Sequence, residues 1–563
     1  MTELVALDEI SHTAHLASGQ DAAPARTAEL EQTSAEAEAE RETGDETIYP
    51  RGIRFVLITF SIIFTVFLSA LDSTIISTAI PSITDEFGHL NDVVWYSSAY
   101  SLTNFAFLSS WGKAYKYFPL KQTFIVAGLI FEIGNVVCAT ATSSSAVILG
   151  RAISGTGGGG IMSGGFTIIA LTARPRYRAA YMGIVGATFG CSGIVGPLLG
   201  GILTDQASWR WCFWISLPIW ATGATGIMFS LQNSATSAYT TLSLHKKLLQ
   251  MDFSGSLLAC ASMTCFITAM HWGGVVKSWS SGAVVGCLVA CAAFAGLFIL
   301  NERLMGDRAM IQGRLLKNRV FVANLVYEFF LAGLYFPLLY SLPIQFQSID
   351  NVSAAQSGIR LIPLILGISI FTMISNGIIS MYRKHLPLTV LGAAVGTIGV
   401  GLIYGINENA STGKWIGYEI ITAVGIGLVL QVPMVANQAL VSSTDDIPEA
   451  TALTLFFENM GTTIFNAATE AAFTSTIVSY LADNAPSVDA STVISSGAAT
   501  QLRGLFTGEE LQDVLSSYMD GCKVSHAMSL ACGGLATAVS LVMAVPVVKE
   551  HLRLWMKKKS HVL

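Results

Sequence analysis

The chain has 563 residues, of which 52% are hydrophobic and only 12% charged, and its mean hydropathy is +0.57. Soluble domains carry about 25% charged residues, so this composition argues against a soluble enzyme or a nucleic-acid-binding protein and puts most of the chain in a lipid bilayer. The formal net charge of -6 is depressed by an acidic head, and membrane topology depends instead on where Lys and Arg fall.

That head covers residues 1–50, rich in Ala, Glu, Thr and Ser around AELEQTSAEAEAERETGDE. It lacks a basic start followed by an apolar stretch, so no cleavable signal peptide is expected. Its composition predicts a disordered cytoplasmic tail. A short surface helix over 28–41 is the alternative, because Ala and Glu favour one.

A helix needs about 20 residues to cross the hydrocarbon core, and the long apolar runs exclude a barrel. Spans are predicted at 55–78, 93–111, 122–141, 147–171, 179–203 and 210–229, then at 253–271, 282–300, 321–342, 357–380, 387–406, 416–440, 450–480 and 526–547. The fold class is therefore an all-α polytopic membrane protein with 14 transmembrane helices.

The first span holds LSALDSTIISTAIP at 68–81, with Asp72 in its outer part, 18 residues past Arg54. Ionisable groups inside a membrane are functional candidates by default. Glu132, near the middle of the third span, has the better depth for handling a proton, whereas Asp72 reads as a gating or helix-positioning charge. Arg151 opens RAISGTGGGGIMSGG at a depth similar to Asp72, so the two are candidate partners. The glycines of that run, Gly155 and Gly157 among them, allow another backbone to approach closely. No phosphate loop is present, since the run lacks GK[ST] and a preceding strand.

GCSGIVGPLLGG at 190–201 adds Gly196, Pro197, Gly200 and Gly201. The proline removes an internal hydrogen bond and is expected to bend the fifth span. Glu328, Arg360, Glu419, Glu458 and Glu470 are the weaker charged candidates further on. Tyr96, Tyr100, Phe329 and Tyr335 are candidates for an amphipathic substrate cavity. The longest loop, 481–525, contains LRGLFTGEELQD, which reads as an interfacial helix. Asn351 and Asn409 head the sequons NVS and NAS and are candidate glycosylation sites. The nine cysteines are scattered without metal-like spacing, and no metal site is expected.

Charge placement tests the count. With the N-terminus in the cytoplasm, 22 Lys and Arg from Arg51 onward fall on the cytoplasmic side. Only Arg210, Lys277, Lys414, Arg503 and Lys523 fall on the other. The bias supports an even number of spans and cytoplasmic termini, the last being the basic tail 549–563. One loop on the cytoplasmic side, SSTDDIPEA at 442–450, is acidic and runs against the pattern.

LDSTIISTAIP at 71–81, WYSSAYSLTNFAFLSSWGK at 95–113, RAISGTG at 151–157, SGIVGPLLGG at 192–201 and WRWCFWISLP at 209–218 together resemble the major facilitator superfamily. Within it, the sequence is similar to fungal fourteen-span drug:proton antiporters of the toxin and multidrug efflux branch over about residues 50–550. Three positions depart from the pattern: Lys116 stands where an acidic residue is common, Ser154 where glutamine is, and Ser192 where glycine is. The resemblance implies a major facilitator fold with a six-helix bundle over 51–229, two inserted helices over 250–300 and a second bundle over 317–548 that includes an extracellular loop at 481–525.

The resemblance further implies proton coupling at Arg151 and secondary efflux of a small hydrophobic or amphipathic compound, such as a fungal metabolite, toxin or drug. The proton gradient would be the energy source, with no cofactor. The expected partners are the lipid bilayer, the substrate and protons, and the expected state is a monomer in the cell membrane. Siderophore-iron transport and vacuolar basic amino-acid transport, the latter with a vacuolar location, are the alternative readings. A membrane enzyme is disfavoured by the absence of a His/Asp/Glu cluster in the loops.

Overall fold

The computed structural model describes residues 49–88, 92–232, 243–274, 276–406, 411–495 and 502–560. Residues 53–563 form one compact unit. The tail expected over 1–50 lies almost wholly outside the described residues, as does the sequon residue Asn409. Secondary structure among the described residues is helical, with a single isolated β-bridge between Gly273 and Lys277.

Long helices occupy every predicted span. They are α1 (Ile53–Phe87), α2 (Val93–Tyr117), α3 (Leu120–Ala139), α4 (Ser144–Thr172), α5 (Pro175–Gln206) and α6 (Trp211–Ser230). Next come α7 (Phe253–Trp272), α8 (Gly282–Met305), α9 (Arg319–Ser348), α10 (Ile362–Tyr382) and α11 (Leu386–Tyr404). The chain ends with α12 (Thr412–Val429), α13 (Ile447–Asn484) and α14 (Gly508–Ser560). Eleven segments are long and apolar enough to cross a membrane by length and composition. Helices α2, α4 and α13 fall outside that group. Serines, glycines and tyrosines dilute the hydropathy of α2 and α4, and Glu449, Glu458 and Glu470 interrupt α13.

Local chemistry sets several boundaries. Ser143, Ser281 and Asn318 cap α4, α8 and α9 by accepting hydrogen bonds from the first free backbone N–H groups. Asp252 caps α7 from a left-handed conformation with φ 43°. One expectation changes here. Helix α14 starts at Gly508, so the second half of the predicted interfacial segment, 508–513, and the loop residues 508–525 are its first turns. Leu502–Leu505, at the start of that segment, is a separate short helix. The amphipathic pattern of ELQDVLSSYMD is satisfied by packing: Val514 and Tyr518 join Ile477 and Leu481 of α13 in one apolar cluster. Helix α5 runs through Pro197 as one element.

Helix α1 packs on α5 and α6, while α4 lies between α2 and α3. Helix α9 packs on α13 and α14, and α11 on α12 and α14. Contacts between α2 and α13 and between α5 and α10 join these groups. Helix α8 differs from the rest: its most apolar window is only 6% buried, and α7 is its main neighbour. Val285, Val289, Ile299, Leu300 and Leu304 are exposed around it, as expected for a helix in contact with lipid on most sides.

The glycines of α4 explain the tightest packing. A Cβ on Gly155 would lie 2.2 Å from the Tyr100 carbonyl oxygen, and one on Gly157 would lie 2.3 Å from the Phe131 backbone nitrogen. Helix α4 therefore touches α2 and α3 backbone to backbone. Gly196 and Gly200 play the same part against Thr74 and Ile75 of α1, whereas Gly201 faces open space and needs no such role. Gly157→Leu should lower the unfolding temperature of the purified protein by well over ten degrees or abolish folding, because rigid backbone blocks the new side chain. Gly201→Ala should leave it within about two degrees, as surface changes do; fluorescence-detected thermal unfolding in detergent reads both.

Candidate functional site

The glycine-permitted approach of α4 to α2 seats Arg151 between α2 and Asp72 of α1. Arg151 Nη1 lies 2.5 Å from Asp72 Oδ2, and the two residues are 1% and 3% exposed. Arg151 Nε donates to the Tyr96 carbonyl oxygen at 3.0 Å, and its guanidinium lies 4.4 Å from the centre of the Tyr100 ring. The Tyr100 hydroxyl is in turn held by Ser69 Oγ at 3.0 Å and the Ser69 carbonyl at 3.1 Å. Three helices thus fix one ion pair. Asp72 Oδ1 has no hydrogen-bond partner, so the carboxylate keeps one unused acceptor inside the protein.

Glu132 of α3 forms a second buried polar site. Ser216 Oγ donates to its Oε2 at 2.7 Å, and Asn135 Nδ2 lies 3.2 Å from the same hydroxyl. Glu132 Oε1 and Asn135 Oδ1 have no partner. The sequence offered Asp72 and Arg151 as candidate partners and Glu132 as the better proton site; the structure pairs the first two and gives Glu132 its own serine.

Two aromatic candidates serve this network instead of lining open space. Tyr96 is fully buried and donates to Ser144 Oγ at 2.9 Å, while Tyr100 supports Arg151. Tyr335 is buried beside Phe336, and the half-buried Phe329 packs on Phe330 and Phe465. Glu328 and Glu419 are buried and retain oxygens without partners. Arg360 pairs with Asp350 and lies over Phe346 and Trp415. Asn351 is exposed in a left-handed turn with φ 53°, a geometry asparagine tolerates.

A further cluster lies where α2 ends and α13 begins. Lys116 Nζ donates to Asp446 Oδ1 at 3.0 Å and to Glu449 Oε2 at 2.8 Å. Arg314, on the short helix Gly313–Leu316, pairs with both acids, and the Gln312 amide bonds Glu449. Burial opposes the charged form of Asp446, but hydrogen bonds from Arg314 and Lys116 and their charges outweigh it. Its carboxyl is held below the usual carboxylate range. One turn earlier, a Cβ on Gly112 would lie 2.4 Å from Ala452 Cβ, so α2 and α13 are in close contact here.

Sequence reasoning did not assemble this cluster. Its signal was present in two anomalies, Lys116 at a commonly acidic position and the acidic loop 442–450 among basic ones. The two exceptions are partners.

A bundle of long apolar helices with ion pairs sealed inside it is the architecture of a polytopic membrane protein. The Major Facilitator Superfamily model matches residues 62–466. An MFS-type transporter of Pestalotiopsis microspora is 40% identical over 502 residues, covering 89% of this chain and 92% of that protein. A probable efflux pump of Penicillium aethiopicum is 40% identical, covering 87% and 88%. The aspyridones efflux protein of Neocamarosporium betae is 37% identical, covering 83% of each. Among solved structures, the human organic anion transporter MFSD10 has a similar fold, with a TM-score of 0.56 at 12% identity over 87% of this chain and all of that one. The chain belongs to the major facilitator superfamily, in its fungal drug- and toxin-efflux branch.

Arg151→Ala strands a buried carboxylate and should destabilise the protein by about 3–5 kcal/mol, read as a lowered unfolding temperature. Arg151→Lys keeps a positive charge and should lose less. The depressed carboxyl of Asp446 contributes stability above its ordinary value of about 3.9 and loses it as pH falls through the lower folded value. Contact between α2 and α13, followed by hydrogen exchange, should therefore keep the Asp446 contribution down to about pH 4 and lose it only in stronger acid, while any change near pH 8 reports Lys113, which burial pushes down to about 8.

Proposed function

We propose that the protein is a fourteen-span proton antiporter that exports a small hydrophobic or amphipathic organic compound. The eleven apolar segments become fourteen spans when α2, α4 and α13 also cross. These helices have 25, 29 and 38 residues, long enough for the roughly 30 Å core at 1.5 Å per residue. All three are polar because they face protein, not lipid. On this count both termini are cytoplasmic, residues 51–229 and 317–548 are the two bundles, and α7 and α8 are the inserted pair. The transporter acts as a monomer in the cell membrane.

One observation carries the coupling: Asp72 and Glu132 are buried carboxylates in the same bundle, each with an oxygen lacking a donor. Such an oxygen is where a proton can be held without rebuilding the surrounding bonds. Arg151 supplies the competing positive charge for Asp72, so a proton arriving there weakens the pair and frees Arg151 to rearrange. Glu132, fixed by Ser216, is the neighbouring acceptor on α3. The names of the efflux relatives favour export over siderophore or basic amino-acid transport.

In this orientation the cluster of Lys116, Arg314, Asp446 and Glu449 is the inside gate. It ties the N-terminal bundle to the C-terminal one at the cytoplasmic end, and substrate entry requires it to part. Alternating access by rocking of two bundles supplies that motion.

The test is dye efflux from proteoliposomes with an imposed pH gradient, using rhodamine 6G as a hydrophobic probe. Asp72→Asn and Glu132→Gln should each reduce gradient-driven efflux at least tenfold at normal protein abundance, the scale of a lost charge-assisted interaction. Full gradient-driven efflux in both variants would refute the coupling assignment.

A further inference from the structure

The segment between the inserted pair and the second bundle is buried although it has little regular structure. Ala309, Met310 and Gln312 are 2%, 3% and 6% exposed. Buried backbone outside helices must find partners, and here the partners come from every part of the molecule.

On the α2 side, Lys113 donates to the Arg308 carbonyl oxygen, and Ser109 Oγ donates to the Met310 carbonyl oxygen at 2.7 Å. From the inserted pair, Asp252 at the start of α7 and Glu302 near the end of α8 accept from the same N–H. Met310 N lies 2.9 Å from Asp252 Oδ2 and 3.2 Å from Glu302 Oε1. Ile311 N adds a 2.6 Å bond to Glu302 Oε2. Towards α13, Gln312 and Arg314 hold Glu449 and Asp446. Residues 308–314 are thus a strap tied in succession to one bundle, the inserted pair and the other bundle.

The inserted pair supplies the most rigid anchor. Asp252 Oδ1 accepts from Gly255 N at 2.9 Å and from Ser254 Oγ and Asn301 Nδ2 at 3.0 Å. The cap of α7 is thereby joined to the end of α8. Hydrogen bonds from backbone N–H to a carboxylate are charge-assisted and stronger than neutral ones. The two carboxyl groups facing this N–H are also hydrogen-bonded to each other, which needs a proton on one of them, and Lys113 lies within electrostatic reach of Asp252, Glu302 and Glu449.

We propose that Asp252 and Glu302 are positioning residues of the inside gate, through which the inserted helices hold the strap 308–314 across the closed end and present Gln312 and Arg314 to Asp446 and Glu449. This inference rests on the gate assigned above. When the bundles part, the strap stays with the inserted pair, and its bonds to Asp446 and Glu449 break.

The test uses the full-length chain in nanodiscs, with a cysteine-free background and spin labels at Gln122→Cys and Ser443→Cys reporting the distance between bundles at this end. Lys116→Ala should raise the open-to-closed ratio and so verify the gate itself. Glu302→Gln and Asp252→Asn should raise it about tenfold, the scale of one charge-assisted hydrogen bond. In both, the amides of 310–314 should exchange faster and the unfolding temperature should stay near that of the parent. In dye transport these two variants should change turnover and leave KM near the parent value, a split that general loosening would not give.

If Lys116→Ala leaves the bundles closed, the gate assignment fails. If it opens them while Glu302→Gln and Asp252→Asn leave both distance and exchange unchanged, the strap inference fails. Should either carboxylate variant not fold, Ser109→Ala removes a direct tether of the strap and Asn301→Ala removes a bond that fixes Asp252, and an unchanged distance in both overturns the proposal.

Discussion

Backbone contact between α4 and its neighbours is the constraint on which the N-terminal half depends. An arginine side chain inside a bilayer must be paired, because an isolated buried charge costs several kcal/mol. Gly155 and Gly158 let α4 approach Tyr100 of α2 closely, and there Arg151 meets the Tyr96 carbonyl, the Tyr100 ring and Asp72 of α1. The glycines and the ion pair are therefore one device. The glycines bring the helices together, and the charge pair fixes their register where hydrophobic packing alone would let them slide.

The two ends of this half are handled differently. Glu86 and Arg210 form a partly exposed pair joining α1 to the start of α6, with Arg210 Nη2 2.7 Å from Glu86 Oε1 and Trp209 Nε1 bonding the same carboxylate. That contact joins neighbouring helices of the N-terminal half. The cluster at Lys116 joins α2 to α13 across more than 300 residues of sequence, and its acids are both almost fully buried. It is built on two carboxylates, where the Glu86 pair is built on one.

Much of this was legible in the sequence. Apolar runs located every long helix, because burial in lipid demands near-continuous hydrophobicity and leaves little else to choose. The buried charges stood out for the same reason, and the depth argument put Asp72 and Arg151 at one level. What the sequence did not show was contact across long separations. Lys116 and Glu449 are 333 residues apart, and a hydropathy pattern carries no information about such pairs. The aromatic candidates illustrate the opposite error. Tyr96 and Tyr100 looked like cavity wall because aromatic residues suit organic ligands, yet their hydroxyls and backbone serve Ser144, Ser69 and Arg151. The start of α14 was placed late because its first turns are polar on one face, although the other face packs on α13.

Helix α8 carries a mechanical consequence. Its 24 residues span about 36 Å at 1.5 Å per residue, against a hydrocarbon core of roughly 30 Å. With only α7 as its main protein neighbour, its tilt is set largely by lipid, and tilt is how a long helix adapts to bilayer thickness. Glu302 sits at the end of this lever, with the strap tied to it. If the cluster at Lys116 is the gate proposed above, the thickness of the surrounding membrane is connected to it through α8.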